Sequence, residues 1–210
     1  GGPMEVDGDC DFPQFEVASE LPRHAYAGQA PAAGSKDFSK TVQREWRLLR
    51  RGLPEGIWVR ASEERMDLVR AFIAGPAKTP YEDGLYAFDI CLGPDYPAVP
   101  PSVYFWSYGD RLNPNLYDNG KVCLSLLGTW AGSSVESWDP KKSSVLQVLV
   151  SIQGLILVPE PYYNEPSYDQ YRGTDEGRRA SKQYNESAFL LTLQSVIHCC
   201  RNPPADFADL

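Results

Sequence analysis

Residues 111–127 have the sequence Arg-Leu-Asn-Pro-Asn-Leu-Tyr-Asp-Asn-Gly-Lys-Val-Cys-Leu-Ser-Leu-Leu. They lie inside a longer stretch, 107–142, that is rich in Asn, Gly and Asp and lacks the periodicity of a helix or a strand. Loops of this length are uncommon in compact domains and usually serve a function. Within the loop, Cys123 follows polar residues rather than an apolar face, so we expect its thiol to be accessible.

Upstream of the loop the sequence predicts four short strands, each bounded by Gly or Pro. They span residues 56–61, 67–74, 85–92 and 102–106. The connections between them are short, which favours an antiparallel meander.

Three helices are predicted around the strands. The first, 38–51, is amphipathic, and its apolar face consists of Phe38, Val42, Trp46 and Leu49. The second, 143–158, is apolar on most sides, although its β-branched residues also permit a strand. The third, 183–201, is expected to pack through Leu190, Leu193, Val196, Ile197 and Cys200. Helices and a separate run of strands in this order predict an α+β domain.

The domain is expected to cover residues 37–210. Residues 1–36 lack periodicity and are rich in Gly, Ala and Pro, which indicates a linker or a loosely docked N-terminal arm. Residues 1–4 resemble the remnant of a cleaved tag, and we expect the chain to be part of a larger protein.

Composition argues against several classes of partner. The formal net charge is −8 and the pI about 4.8, which disfavours nucleic acid as a partner. The longest apolar run, 145–158, is too short to span a bilayer, so direct membrane insertion is not expected.

The five cysteines lack a CxxC spacing and are accompanied by only two histidines, so no metal site is expected. This sparse cysteine pattern suits a reducing compartment. Cys91, Cys199 and Cys200 are predicted to be buried small apolar residues.

The segment 111–127 resembles the active-site signature of the ubiquitin-conjugating (E2) enzymes. In that family a His-Pro-Asn tripeptide ends eight residues before the catalytic cysteine, and here Asn115 precedes Cys123 by eight. The runs 80–86 and 95–101 are similar to the strand and loop core of the family. Trp138-Asp139-Pro140 resembles the Trp-x-Pro that follows the cysteine.

This resemblance covers about residues 38–165. It implies the E2 fold: an N-terminal helix, a four-stranded antiparallel meander, a long active-site loop and C-terminal helices.

The resemblance implies that Cys123 accepts ubiquitin from an activating enzyme (E1) as a thioester and passes it to a substrate lysine. A thiolate is the competent nucleophile, and a thioester remains reactive toward amines. Asn115 is expected either to stabilise the oxyanion or to support the loop, although it could be only a turn residue. No cofactor is implied, because ATP is used by the E1.

Two further groups of residues are implied by the resemblance. The first helix of E2 enzymes helps to dock the E1, and the basic face here consists of Lys40, Arg44, Arg47 and Arg51. Such a stripe would otherwise be a solvated helix face. Tyr163 and Asn164 occupy the region where many members place an acidic residue near the incoming lysine, and Glu165 is the nearest carboxylate there.

The sequence also departs from the common pattern. Asn113 replaces the His of the tripeptide, so the loop is expected to be braced differently. Trp130 and Trp138 are expected either to anchor the loop or to contribute to catalysis. The runs 113–117, 123–130 and 160–165 resemble the large hybrid E2/E3 enzymes. Among these, the runs 54–57, 64–68 and 203–207 look closest to the plant member that acts in phosphate homeostasis. The resemblance implies a mainly cytoplasmic enzyme, which other parts of the full-length protein could bring to endomembranes.

Two other hypotheses remain open. A non-catalytic ubiquitin-binding variant of the same fold would lack the catalytic cysteine, whereas Cys123 is present. An E2 for another ubiquitin-like modifier would share this chemistry, because the E1 largely sets the choice of modifier. A cysteine protease is disfavoured, since neither His24 nor His198 is placed as an obvious base.

Overall fold

The computed structural model describes residues 12–32, 36–129 and 137–203. It is an α+β domain, as predicted. The main elements are β1 (Phe15–Ala18), α1 (Lys36–Gly52), β2 (Ile57–Ser62), β3 (Leu68–Ala74), β4 (Leu85–Cys91), β5 (Ser102–Phe105), α2 (Val145–Ser151) and α3 (Asp175–Arg201).

The sheet has five strands in the order β1-β2-β3-β4-β5. Strands β2 to β5 pair antiparallel in sequence order, so the predicted four-stranded meander is confirmed. The fifth strand, β1, pairs parallel to β2, with Phe15 opposite Val59. It comes from the stretch that composition assigns to a linker or loosely docked arm, and within that stretch Phe15–Ala18 form a regular strand of the sheet.

One face of the sheet packs against α1 and α2. Helix α1 buries Phe38, Val42 and Leu49, as its periodicity predicts, whereas Trp46 is only half-buried. Burying one such side chain stabilises the fold by about 1.5–3 kcal/mol. Glu45 is also buried here, and its carboxylate accepts a hydrogen bond of 2.9 Å from the Val145 N–H at the start of α2. Burial raises the pKa of Glu45.

The other face of the sheet is covered by the N-terminal arm. Asp89 and Arg70, opposite each other on β4 and β3, form a buried two-point ion pair with N···O distances of 2.6 and 3.0 Å. The arm joins this pair because the Ala25 N–H donates to the Asp89 carboxylate at 2.7 Å. Arg70 also donates to the Pro22 carbonyl at 3.0 Å. Residues 12–32 are thus part of the folded unit.

The predicted second helix is present. It begins with Ser144 as N-cap, whose side chain accepts from the Gln147 N–H. After Ser151 it continues as a wider π-helical turn, Ile152–Ile156. Val150 and Leu155 are exposed, so the helix is less enclosed than its apolar composition predicts.

The third helix differs most from its prediction. It begins at Asp175 rather than near 183, where Thr174 caps it by accepting from the Gly177 N–H. Its buried side is made of small residues, Gly177, Ser181, Ala188 and Thr192. Four of the five predicted anchors are therefore wrong: Leu190, Leu193, Ile197 and Cys200 are exposed. Among the described residues, no helix is both long and apolar enough to cross a membrane.

Candidate active site

Cys123 is held by its backbone to Asn115. The Cys123 N–H donates to the Asn115 carbonyl at 2.8 Å, and the Asn115 side-chain amide donates to the Cys123 carbonyl at 2.9 Å. This reciprocal pair gives the eight-residue spacing a direct structural cause. The cysteine is 6% exposed, less than its polar context predicts.

The buried side chain of Asn113 holds the active-site loop in place by hydrogen bonds. Its amide donates to the Tyr81 hydroxyl at 2.7 Å and to the Ile156 carbonyl at 2.8 Å, and its carbonyl oxygen accepts from the Asn115 N–H at 2.8 Å. The fully buried side chain thus links the β3–β4 connection and the π-helical turn after α2 to the loop.

Between Asn115 and Cys123 the chain makes a tight turn. The Tyr117 N–H donates to the Lys121 carbonyl at 3.0 Å, closing the turn. Gly120 has a φ of +86°, and a Cβ there would lie 2.1 Å from the Tyr104 ring. Glycine is required at this position for both reasons. The turn directs residues 122 and 123 back beneath Leu116, which bridges to Val122.

Beside the thiol lies a cluster of side chains that the sequence does not predict. The Tyr117 phenol lies next to Cys123, and its pKa is raised, first by burial and then by the thiol. The Arg111 guanidinium lies 4.3 Å from the centre of the Tyr117 ring. It also donates to the Glu165 carboxylate at 2.8 Å and to the Pro114 carbonyl at 2.9 Å. Tyr117 and Arg111 are within the quoted segment, but their contacts depend on the fold.

The two predicted entrance residues have different surroundings. Tyr163 is buried, and the Arg172 guanidinium lies 4.3 Å from its ring centre. Asn164 is half-buried and its amide donates to the Leu155 carbonyl at 2.9 Å. Through Glu165 and its bond to Arg111, this segment reaches the cluster beside Cys123.

Two other loop residues hold the chain after the cysteine. Thr129 accepts a hydrogen bond from the Leu124 N–H at 3.0 Å and donates to the Val122 carbonyl at 2.7 Å. The Trp138 indole donates to the Pro97 carbonyl at 2.8 Å and packs beside Tyr96. These contacts favour an anchoring role for Trp138. Trp130 lies outside the described residues.

The predicted docking residues form an exposed row on α1. Lys40, Arg44, Arg47 and Arg51 are all exposed. Lys40 lies 3.5 Å from Asp37 one turn earlier, and Arg44 donates to the Lys141 carbonyl at 3.4 Å. Exposed pairs of this kind contribute little to stability, so the row is available to a partner.

The other described cysteines differ in environment. Cys91 is buried as predicted, and burial raises its pKa to about 11. Cys199 is half-buried and burial raises its pKa as well. Cys200 is exposed, so the prediction that it is buried is wrong. Cys10 lies outside the described residues.

The geometry can support acyl transfer. A cysteine on a fixed loop can form a thioester, and an amide donor beside it can stabilise the oxyanion of a tetrahedral intermediate. The Asn115 amide uses one N–H on the Cys123 carbonyl, and no second hydrogen bond of that nitrogen occurs within the described ranges. The Tyr117 phenol lies beside the thiol, and Arg111 connects this phenol to the Glu165 carboxylate.

Known proteins are similar to this chain over most of its length. The family model described as "Ubiquitin-conjugating enzyme" matches residues 41–190. Two relatives from Arabidopsis thaliana, "Probable ubiquitin-conjugating enzyme E2 23" and "Probable ubiquitin-conjugating enzyme E2 26", are 50% and 51% identical over 99% and 95% of this chain. The human "Dual E2 ubiquitin-conjugating enzyme/E3 ubiquitin-protein ligase BIRC6" is 42% identical over 95% of it. This chain spans 19%, 37% and 4% of those three relatives, respectively. With its motif, fold and relatives in agreement, the chain belongs to the ubiquitin-conjugating enzyme family.

Proposed function

We propose that Cys123 accepts ubiquitin from the E1 as a thioester and that the chain transfers it to the lysine of a protein substrate. The observation that carries the proposal is the reciprocal pair of hydrogen bonds between Asn115 and Cys123. It fixes the thiol at the base of a braced loop, beside the Tyr117 phenol.

The two steps balance without a cofactor. The Cys123 thiolate attacks the E1 thioester carbonyl, a new C–S bond forms, and the E1 thiolate leaves. The amine of a substrate lysine then attacks, a C–N bond forms, the Cys123 thiolate leaves and the amine gives up a proton to solvent or to a nearby base. ATP is consumed by the E1, outside this chain.

A charging assay tests the proposal. The chain is mixed with E1, ATP and ubiquitin, and the product is run on gels with and without reductant. We expect a band one ubiquitin heavier that disappears with reductant and is absent from Cys123→Ala. A folded chain that forms no such band would favour the alternative of a non-catalytic binding variant, or another modifier.

The exposed row on α1 is proposed as the E1-docking surface. Exposed charges mainly steer association, so the double reversal Arg44→Glu/Arg47→Glu should slow charging about tenfold at low salt without lowering the melting temperature. Raising the salt concentration should shrink the difference, because it screens exposed charges. Quenching the charging reaction at fixed times, at two salt concentrations, measures the rate of thioester formation and its dependence on salt.

The matched control for that reversal is Arg178→Glu/Lys182→Glu on α3, which makes the same change in net charge at exposed positions. It should charge at the unaltered rate. Equal slowing of both double variants would show that net charge, and not the α1 surface, determines the rate.

The acceptor lysine is proposed to enter between Tyr117 and the 163–165 segment. Asn164 and Glu165 line that side, and both are only half-buried. Tyr163 is proposed to support the 163–165 segment through its buried ring.

The wider role is also a proposal. Similarity to the human dual E2/E3 enzyme supports a chain that works within a hybrid E2/E3 protein. The partners are then ubiquitin, the E1 and substrates with acceptor lysines, and the location is cytoplasmic or at endomembranes. The relation to the plant phosphate-homeostasis enzyme stays a prediction.

A further inference from the structure

The guanidinium of Arg111 binds Glu165 at the edge of the 163–165 segment, where the acceptor lysine is proposed to enter. It binds the Glu165 carboxylate at 2.8 Å and the Pro114 carbonyl at 2.9 Å, and it lies 4.3 Å from the centre of the Tyr117 ring. Tyr117 in turn lies beside the Cys123 thiol. Arg111 is therefore one side chain away from the reacting sulfur.

Several ionisable side chains lie near the Arg111 guanidinium. Glu165 is bound to Arg111, and the Lys121 ammonium lies 5.6 Å from the centre of the same Tyr117 ring. From α3, Tyr184 lies within the electrostatic reach of both Arg111 and Glu165, and its burial raises its pKa to about 12. Because their raised pKa values keep the phenols neutral at physiological pH, the charged groups in contact with Arg111 or with the Tyr117 ring, among the described residues, are the Lys121 ammonium and the Glu165 carboxylate that Arg111 already binds.

A lysine arrives mainly as an ammonium ion, but only the neutral amine attacks a carbonyl. A neighbouring cation disfavours the ammonium form, and a free carboxylate favours it. Arg111 acts in both ways, because it supplies a positive charge and also occupies the carboxylate that would bind the ammonium.

We propose that Arg111 is a positioning residue for the acceptor: by holding Glu165 and Tyr117 it keeps the entrance to Cys123 suited to an uncharged amine. The inference rests on the proposed thioester at Cys123. It assigns Arg111 no contact with the reacting atoms, so its effect must be visible in how lysine transfer depends on pH.

The test uses the chain already charged with ubiquitin and measures discharge to free lysine across pH. In Arg111→Gln the apparent pKa of the rate profile should rise by about one pH unit, a shift typical of losing one half-exposed charge nearby. The maximal rate at neutral pH should therefore fall about tenfold. The KM for lysine should fall too, because Glu165 is released to bind the ammonium.

Three comparisons separate this effect from a structural one. Arg111→Lys retains the charge and should keep the unaltered pH profile. Glu165→Gln removes the opposite charge and should move the apparent pKa downward, which tests the idea independently if Arg111→Gln charges poorly. Hydroxylamine is uncharged at neutral pH, so its discharge rate should be equal in all variants.

Arg178→Gln is the matched control, because Arg178 also binds one carboxylate, Asp175, and one backbone carbonyl, Gly173, away from the loop. It should behave as the unaltered chain. A normally charged Arg111→Gln with an unshifted pH profile would overturn the role of Arg111 alone, as would an equal fall with lysine and hydroxylamine. Failure of the unaltered chain to form any thioester would overturn the proposed function and this inference together.

Discussion

Replacing Asn115 by Ala is expected to lower transfer of ubiquitin to lysine about 100-fold, the typical effect of losing one donor to an oxyanion. The side-chain amide has one N–H on the Cys123 carbonyl, and this bond fixes the amide next to the reacting residue. Its other N–H is then available to the oxyanion that forms when an amine attacks the thioester. Loss of loop support alone would remove one hydrogen bond, an effect of about fivefold.

The measurement is the single-turnover rate of discharge to free lysine, with the charging rate and the melting temperature of the same variant. Asn119→Ala is the matched control, because Asn119 lies in the same loop, is exposed and only accepts a turn hydrogen bond from the Lys121 N–H. It should discharge normally. If Asn115→Ala loses charging and discharge equally and melts lower, Asn115 supports the loop and does not stabilise the oxyanion.

Replacing Asp89 by Ala is expected to destabilise the domain by about 3–5 kcal/mol, because it removes the carboxylate that the buried Arg70 guanidinium binds at two points. The Asp89 carboxylate is fully buried. Besides its bonds to Arg70 and the Ala25 N–H, it accepts from the Trp106 indole at 2.9 Å. The Asp89 carboxylate on β4 thus connects three other parts of the fold: Arg70 on β3, Trp106 after β5, and the N-terminal arm through Ala25. The melting temperature should fall by roughly 10 °C.

Denaturant unfolding measures this loss, and protease cleavage within residues 12–32 should become faster than in the unaltered chain. Asp169→Ala is the matched control, since its pair with Arg172 is exposed and should contribute no measurable stability. The double change Asp89→Leu/Arg70→Leu should recover part of the loss, because removing both charges avoids an unpaired buried ion. A change of less than about 1 kcal/mol in Asp89→Ala would contradict the structural role of the ion pair.

Regular periodicity explains why much of the fold is predictable from sequence. Helix α1 and strands β2 to β5 have alternating or helical apolar patterns bounded by Gly and Pro, and each lies where these patterns place it. The strand β1 has only four residues, Phe-Glu-Val-Ala, within a Gly- and Pro-rich arm. Its parallel partner is more than 40 residues away, so local sequence gives no indication of the pairing.

The pattern of large apolar residues predicts neither the first residue of α3 nor the face of α3 that is buried. The first two turns are polar, although Thr174 followed by Asp175 and Glu176 is a recognisable helix start. The helix packs through small residues such as Gly177 and Ala188, where a close approach replaces large apolar contacts. Its large apolar residues face outward instead.

The sequence predicts those parts of the candidate site that depend on a fixed short spacing, such as the eight residues between Asn115 and Cys123. Asn115 and Cys123 are joined directly by hydrogen bonds, and Asn113 braces the loop. The contact of Arg111 with Glu165 joins residues 54 positions apart, which no local pattern specifies. The neighbours of the thiol are therefore known only once the chain has folded.

The most direct test of thioester formation at Cys123 changes only its sulfur atom. Cys123→Ser should give an oxyester with ubiquitin that survives reductant and is cleaved by alkali, whereas the unaltered chain gives a product that reductant cleaves. That change from a reductant-sensitive to a reductant-resistant product would assign the acyl bond to residue 123. A reductant-sensitive ubiquitin band in Cys123→Ser would contradict the assignment, because another cysteine would then carry the thioester.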